Sequence, residues 1–158
     1  MPKTYKGRKN NSRKSYRKNS NKTYKIKHSN FTKEEIVLQF IEMLNTVKLF
    51  HWKTNSYAKH KATDDLYSEL NTNVDSFVEV LLGKTGTRVD LQRVKSIPLY
   101  AYNSPDDFKQ KIEEYKQYLS DMNASGTLNL TTNSDLFSIR DEILANLNQF
   151  TYLWSFTK

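Results

Sequence analysis

Five residues have the types and spacing to hold a metal ion: His51, His60, Asp64, Asp75 and Glu79. His60, Asp64, Asp75 and Glu79 fall within one stretch of helical periodicity. At helical rotation they lie at roughly 0°, 40°, 60° and 100°, a single stripe beside the apolar one. Within one chain the stripe is too long for one ion. The midpoint of His60 and Asp64 is roughly 22 Å along the helix from the midpoint of Asp75 and Glu79. A second copy of the helix, laid antiparallel about a twofold axis near residues 69 and 70, removes that distance. The same axis sets His60 against Glu79 of the partner subunit and Asp64 against Asp75 of the partner subunit. Such an isologous dimer has two identical sites, each with two imidazoles and three carboxylates once His51 joins. Imidazole with carboxylate and no thiolate suits iron, and zinc and manganese accept the same donors. The alternative is a solvated face of ordinary i,i+4 pairs. Taken alone, His51 reads as a helix-end residue and Trp52 as a core or interface aromatic.

The element that carries the stripe is predicted as a helix over about 58–82. Its apolar positions are Leu66, Leu70, Val74, Phe77, Val78 and Leu81, and Gly83 is the expected C-cap. A helix over about 33–54 precedes it. Thr32 and Glu35 form a capping box there, and Phe31 with Ile36 a hydrophobic staple. Ile36, Phe40, Met43, Val47 and Phe50 give that helix its apolar face, and His51 stands at its end. Residues 84–103 form a long connector that Val89, Leu91, Val94 and Ile97 should pack on the body. A third helix starts at Ser104-Pro105 with Asp106 and Asp107 at its positive end, and runs to about Met122. A polar loop over 123–133 leads to a fourth helix, capped by Ser134. It continues to about Phe156 through Leu136, Ile139, Ile143, Leu147, Phe150 and Trp154. The fold class read from this pattern is all-α. Four helices with a long connector between the second and third favour a crossover bundle of the ferritin-like kind.

Charge divides the chain of 158 residues in two. Residues 1–30 carry eleven bases and no acid: Lys3, Lys6, Arg8, Lys9, Arg13, Lys14, Arg17, Lys18, Lys22, Lys25 and Lys27. The other 14 of the 25 bases face all 17 acids, so residues 31–158 have a net charge of −3. The expected organisation is a disordered basic arm over 1–30 on a helical body over 31–158, because the arm has too little apolar surface to offset ordering entropy. Tyr5, Tyr16 and Tyr24 interleave with the bases, which suits non-specific contact with DNA through phosphates and stacking. RNA, an acidic protein partner, or a solubility or localisation role are the other uses of such a tail. The chain has no cysteine, which excludes disulfides, thiolate metal sites and cysteine nucleophiles. No apolar run is long enough for a transmembrane helix, and no apolar segment follows the basic start as a secretory signal requires. Walker, dinucleotide and nucleophile-elbow motifs are absent.

The segment His51-Trp52-Lys53-Thr54, then His60-x-x-x-Asp64, then Asp75-x-x-x-Glu79 resembles the Dps mini-ferritins, the DNA-binding proteins from starved cells. The resemblance runs over about 36–83, and the third and fourth helices agree in pattern. It also extends to uncharacterised ferritin-like proteins of large DNA viruses. It implies a di-iron ferroxidase centre shared across a twofold interface. His51, His60 and Asp64 would come from one subunit and Asp75 and Glu79 from the other, with Glu79 as the bridge between metals. Trp52 would stand beside the site and intercept oxidising equivalents. A hollow dodecamer, oxidation of Fe(II) by peroxide or oxygen, and DNA binding through a Lys-rich arm are the further expectations. Those roles imply an intracellular, DNA-associated protein, or a virion component. The interval between His51 and His60 is shorter here than is usual in that family, and its typical glycine is absent. A scaffold without enzymatic activity, condensing DNA or building a virion around a vestigial metal site, is the alternative function.

Overall fold

The computed structural model describes residues 31–124 and 132–156. The arm over 1–30, with all eleven expected DNA-binding bases, lies outside the described residues. The described part is helical: α1 (Lys33–Lys53), α2 (Tyr57–Thr85), α3 (Pro105–Asp121) and α4 (Ser134–Trp154), with a short 3-10 turn over Met122–Ala124. No strand occurs among the described residues. The fold is therefore an all-helical, four-helix bundle.

Local chemistry accounts for the helix starts. At α1 the Thr32 side chain accepts from the Glu35 N–H at 3.2 Å, and Glu35 Oε2 accepts from the Thr32 N–H at 3.0 Å. Two otherwise orphaned donors are thus satisfied reciprocally. Phe31, just before the cap, is buried against the Tyr118 ring and takes a φ of 34°. Ser56 caps α2 and Ser104 caps α3, where Pro105 fills the first helical position. Asn133, not Ser134, holds the N-cap position of α4.

The end of α2 also departs from its expected place. The helix runs through Gly83 and stops at Gly86, which adopts a left-handed φ of 63° and donates its N–H to the Leu82 carbonyl at 3.0 Å. A glycine inside a helix costs only about 1 kcal/mol. The last turn regains that through tertiary anchors. Lys84 Nζ donates to the Thr132 carbonyl at 3.0 Å and to Asp135 at 2.7 Å, at the start of α4.

One core threads all four helices. Ile36, Phe40, Met43, Val47 and Phe50 of α1 meet Leu66, Leu70, Val74, Phe77 and Leu81 of α2. Phe108, Ile112, Tyr115 and Leu119 of α3 and Leu136, Ile143, Leu147 and Phe150 of α4 complete it. Between α2 and α3, Val89, Leu91 and Ile97 are half-buried, whereas Val94 is exposed. Lys33 at the start of α1 donates to Thr87 Oγ1 and to the Arg88 carbonyl, each at 2.8 Å. Lys53 at the end of α1 donates to the Ala101 carbonyl at 3.1 Å. The two ends of the connector therefore lie at opposite ends of α1.

Candidate metal half-site

The ends of α1 and α2 that meet across residues 54–56 rest on an aromatic floor. Phe50 stacks on Phe108 at 4.1 Å between centroids, and Trp154 packs against both at 5.6 and 5.7 Å. Phe50 thereby fixes the last turn of α1, and with it His51. His51 is turned inward at 6% exposure, while Trp52, one residue on, is 68% exposed. His60 on the first turns of α2 is exposed.

The two histidines lock each other. Their rings stack with centroids 3.8 Å apart and planes 25° apart. His51 Nδ1 lies 3.0 Å from the His60 carbonyl, and His60 Nδ1 lies 3.0 Å from the His51 carbonyl. A carbonyl only accepts, so each Nδ1 carries the hydrogen. In the neutral imidazole the lone pair of each ring is then on Nε2, the tautomer that a backbone bond fixes for metal binding. Thr63 Oγ1 supports the arrangement: it donates to the carbonyls of Lys59 at 2.8 Å and His60 at 3.0 Å, and its oxygen lies 3.4 Å from His51 Nδ1.

The aspartate one turn along α2 stands beside the pair. Asp64 Oδ1 lies 3.9 Å from His51 Nε2 and 3.9 Å from Lys48 Nζ. The Lys48 ammonium is held over the Tyr67 ring at 4.6 Å and the Trp52 ring at 5.8 Å. Lys48 had no place in the reading of the sequence, although its position three residues before His51 puts it on the same face of α1.

The structure brings together His51, His60 and Asp64. It does not bring Asp75 and Glu79 to them. Both are exposed on α2, and Asp75 is roughly 16 Å along the helix from Asp64 at the α-helical rise. No cluster of three or more metal-ligating side chains suitable for one ion exists within the described residues of a single chain. The arrangement is two imidazoles and one carboxylate side by side on a rigid base.

A second polar cluster is wholly internal, and the sequence reading missed it. Glu42, 4% exposed, accepts at Oε1 from Tyr115 at 3.2 Å and Gln39 at 3.3 Å, and pairs with Lys111 at 3.1 Å. Tyr115 also donates to Thr46 Oγ1 at 2.9 Å. Burial by itself would lower the Lys111 pKa, but the charge and hydrogen bonds of Glu42, joined by Glu114, raise it above its ordinary value. Burial raises the Tyr115 hydroxyl well above the usual phenol range, and Tyr118 likewise.

Comparison with known proteins adds kinship without a function. Residues 51–154 match the model of a family of unknown function, DUF5856. The match begins at His51 and spans more than half of the chain. The chain is also similar to an uncharacterised 14.6 kDa protein from the mobD-ri intergenic region of enterobacteria phage T4. The two are 30% identical over 105 residues, 66% of this chain and 73% of the relative. No solved structure matches.

Proposed function

The chain belongs to the DUF5856 family of unknown function, and we propose that it works as a Dps-like ferritin. It oxidises Fe(II) at a site shared by two subunits and binds DNA non-specifically through its basic arm. The observation that carries this reading is the reciprocal histidine pair. Both Nε2 lone pairs are set free for a metal, and His51 Nε2 points toward Asp64 at 3.9 Å. Iron enters as substrate. His51, His60 and Asp64 of one subunit would hold it with Asp75 and Glu79 of the partner subunit, and Glu79 would bridge two ions. Two Fe(II) ions each give one electron to hydrogen peroxide. The O–O bond breaks, two protons are taken up, and two waters leave beside two Fe(III) ions. Zinc and manganese suit the same donors as competitors.

The connector supports a ferritin-like crossover, since its ends lie against opposite ends of α1. In that reading the particle is a homo-oligomer built from isologous dimers, a dodecamer in the family it resembles. Its arms act together on DNA, inside the cell and close to the nucleic acid. Many arms on one particle give avidity far beyond that of one arm.

The test is anaerobic Fe(II) titration followed by peroxide. Saturable binding near two irons per site with fast oxidation is the expected result. Asp75→Ala with Glu79→Ala should abolish fast oxidation, and an unchanged rate in that double variant would sink the site. A second reading draws on the lack of a complete ligand cluster among the described residues of one chain and on a phage-encoded relative. It makes the bundle a non-enzymatic scaffold that condenses DNA, within a virion, around a vestigial metal site. Absent iron binding with intact DNA binding selects it.

A further inference from the structure

We propose that metal binding and pairing of two copies of this chain are one linked event, so that a divalent cation gates assembly. This rests on the metal reading above and adds its regulation. The ground is the outward face of α2. His60, Asp64, Ser68, Asn71, Asp75 and Glu79 are all exposed and recur at four- and three-residue steps. They keep to one stripe roughly 100° wide. The face on one side of it is occupied, while Lys61, Asp65 and Thr72 stay exposed on the other. Leu66, Leu70, Val74 and Phe77 enter the core, while Glu69 and Asn73 reach Asn146 of α4 at 3.0 and 2.7 Å. Nothing among the described residues covers the stripe, and Asp75 and Glu79 have no hydrogen-bond or ion-pair partner among them.

The stripe is also its own complement. Turned about an axis between residues 69 and 70, position 60 meets 79, 64 meets 75 and 68 meets 71. Ser68 and Asn71 at the centre are small enough to let two backbones approach. A second copy of α2 is therefore the occupant that the pattern fits. Its charges oppose that fit. Asp64 would face Asp75 of the partner subunit, with Glu79 of the partner subunit beside them, and like charges set opposite one another repel. Against three carboxylates Lys48 supplies one positive charge at each site, and the Lys61 ammonium near Asp64 is paired with Asp65. A divalent cation supplies the missing charge and at the same time binds donors from both copies. A second observation points to a cation and not to mere acidity. His51 is more than nine-tenths buried and aims its Nε2 at Asp64 from inside the fold.

Linkage is reciprocal: if the cation tightens pairing by some factor, pairing tightens the cation by the same factor. Mn(II) is the probe, because it offers the charge without the oxidation. Sedimentation of the full chain should show pairing that tightens by about 5–150-fold when chelator is replaced by Mn(II), the usual span of such couplings. Mn(II) affinity should rise with protein concentration. Asp75→Asn with Glu79→Gln removes the repulsion along with the partner's ligand charge, and should make pairing indifferent to Mn(II). The chain has no native cysteine, so Ser68→Cys with Asn71→Cys gives an independent readout. With diamide added as the two-electron oxidant, covalent dimers should form in Mn(II) and not in chelator. Equal pairing in chelator and in Mn(II), with Mn(II) bound and iron still oxidised, overturns the gate and leaves the metal reading standing. No Mn(II) binding and no iron oxidation at any concentration overturns both.

Discussion

Glu42 is the residue on which the interface between α1 and α3 turns. It is charged and 4% exposed, and it is answered by Lys111, Tyr115 and Gln39. Removing one member of a buried pair strands the other, so Glu42→Ala should cost about 3–5 kcal/mol in denaturant unfolding. Replacing both, Glu42→Leu with Lys111→Met, should recover most of that loss, because a well-packed apolar pair of similar volume is often neutral or better. The same cluster, together with Tyr118 buried against Phe31, sets the alkaline limit of the fold. The folded pKa values of Lys111, Tyr115 and Tyr118 are all raised. Native protein therefore keeps protons that unfolded chains release. The stability they contribute is complete below about pH 10 and is lost as the pH rises toward the folded values. Each buried tyrosine should steepen the loss by about 1.4 kcal/mol per pH unit above pH 10. Tyr115→Phe and Tyr118→Phe should flatten the alkaline side of a Tm-versus-pH curve. In absorbance titration these two phenols should ionise only as the protein unfolds.

At the scale of elements, the two glycines near the end of α2 should respond to alanine with opposite sign. Gly83 is helical and exposed, and an added Cβ would have nothing within 4 Å, so Gly83→Ala should stabilise by about 0.5–1 kcal/mol. Gly86 is equally uncrowded but left-handed at φ 63°, so Gly86→Ala should destabilise by about 1–2 kcal/mol. Paired thermal melts check both. This pair also explains what the sequence could and could not tell. The core faces of α1, α2 and α4 were readable, because Ile36 to Phe50 or Leu136 to Trp154 repeat at the helical period whatever they pack against. The stop at Gly83 was misread because Lys84 finds Asp135 and the Thr132 carbonyl on α4, partners that local propensity does not see. Glu42 escaped notice for the same reason, since Lys111 and Tyr115 come from a distant helix. His60 and Asp64 were readable together, being one turn apart on one helix. That His51 and His60 would exchange carbonyl hydrogen bonds depended on the three-residue link between α1 and α2, which no periodicity encodes.

At the scale of the whole molecule, charge is segregated between arm and body. Eleven bases in residues 1–30 bound the phosphates one arm can neutralise. Log affinity for duplex DNA should therefore fall with log salt at a slope no steeper than about −10 per arm. Full-length chains with the arm's lysines and arginines changed to glutamine should lose most of that slope, measured by anisotropy across a salt series. A slope that survives the change would move the contact to the helical body. No described helix is long and apolar enough to cross a membrane.

The two tryptophans make the molecule report on itself. Trp154 is 8% exposed, packed on Phe50, Phe108 and Phe150, and Trp52 is 68% exposed next to His51. Their emission should separate by colour: the buried indole bluer, the solvated one redder and open to iodide quenching. Denaturation should then be read from the blue component. The arrival of a second subunit or of a metal beside His51 should be read from the red one. With Trp52→Phe only the blue component should remain, and with Trp154→Phe only the red, so the folding of the chain and the filling of its site can be watched on one sample without a label.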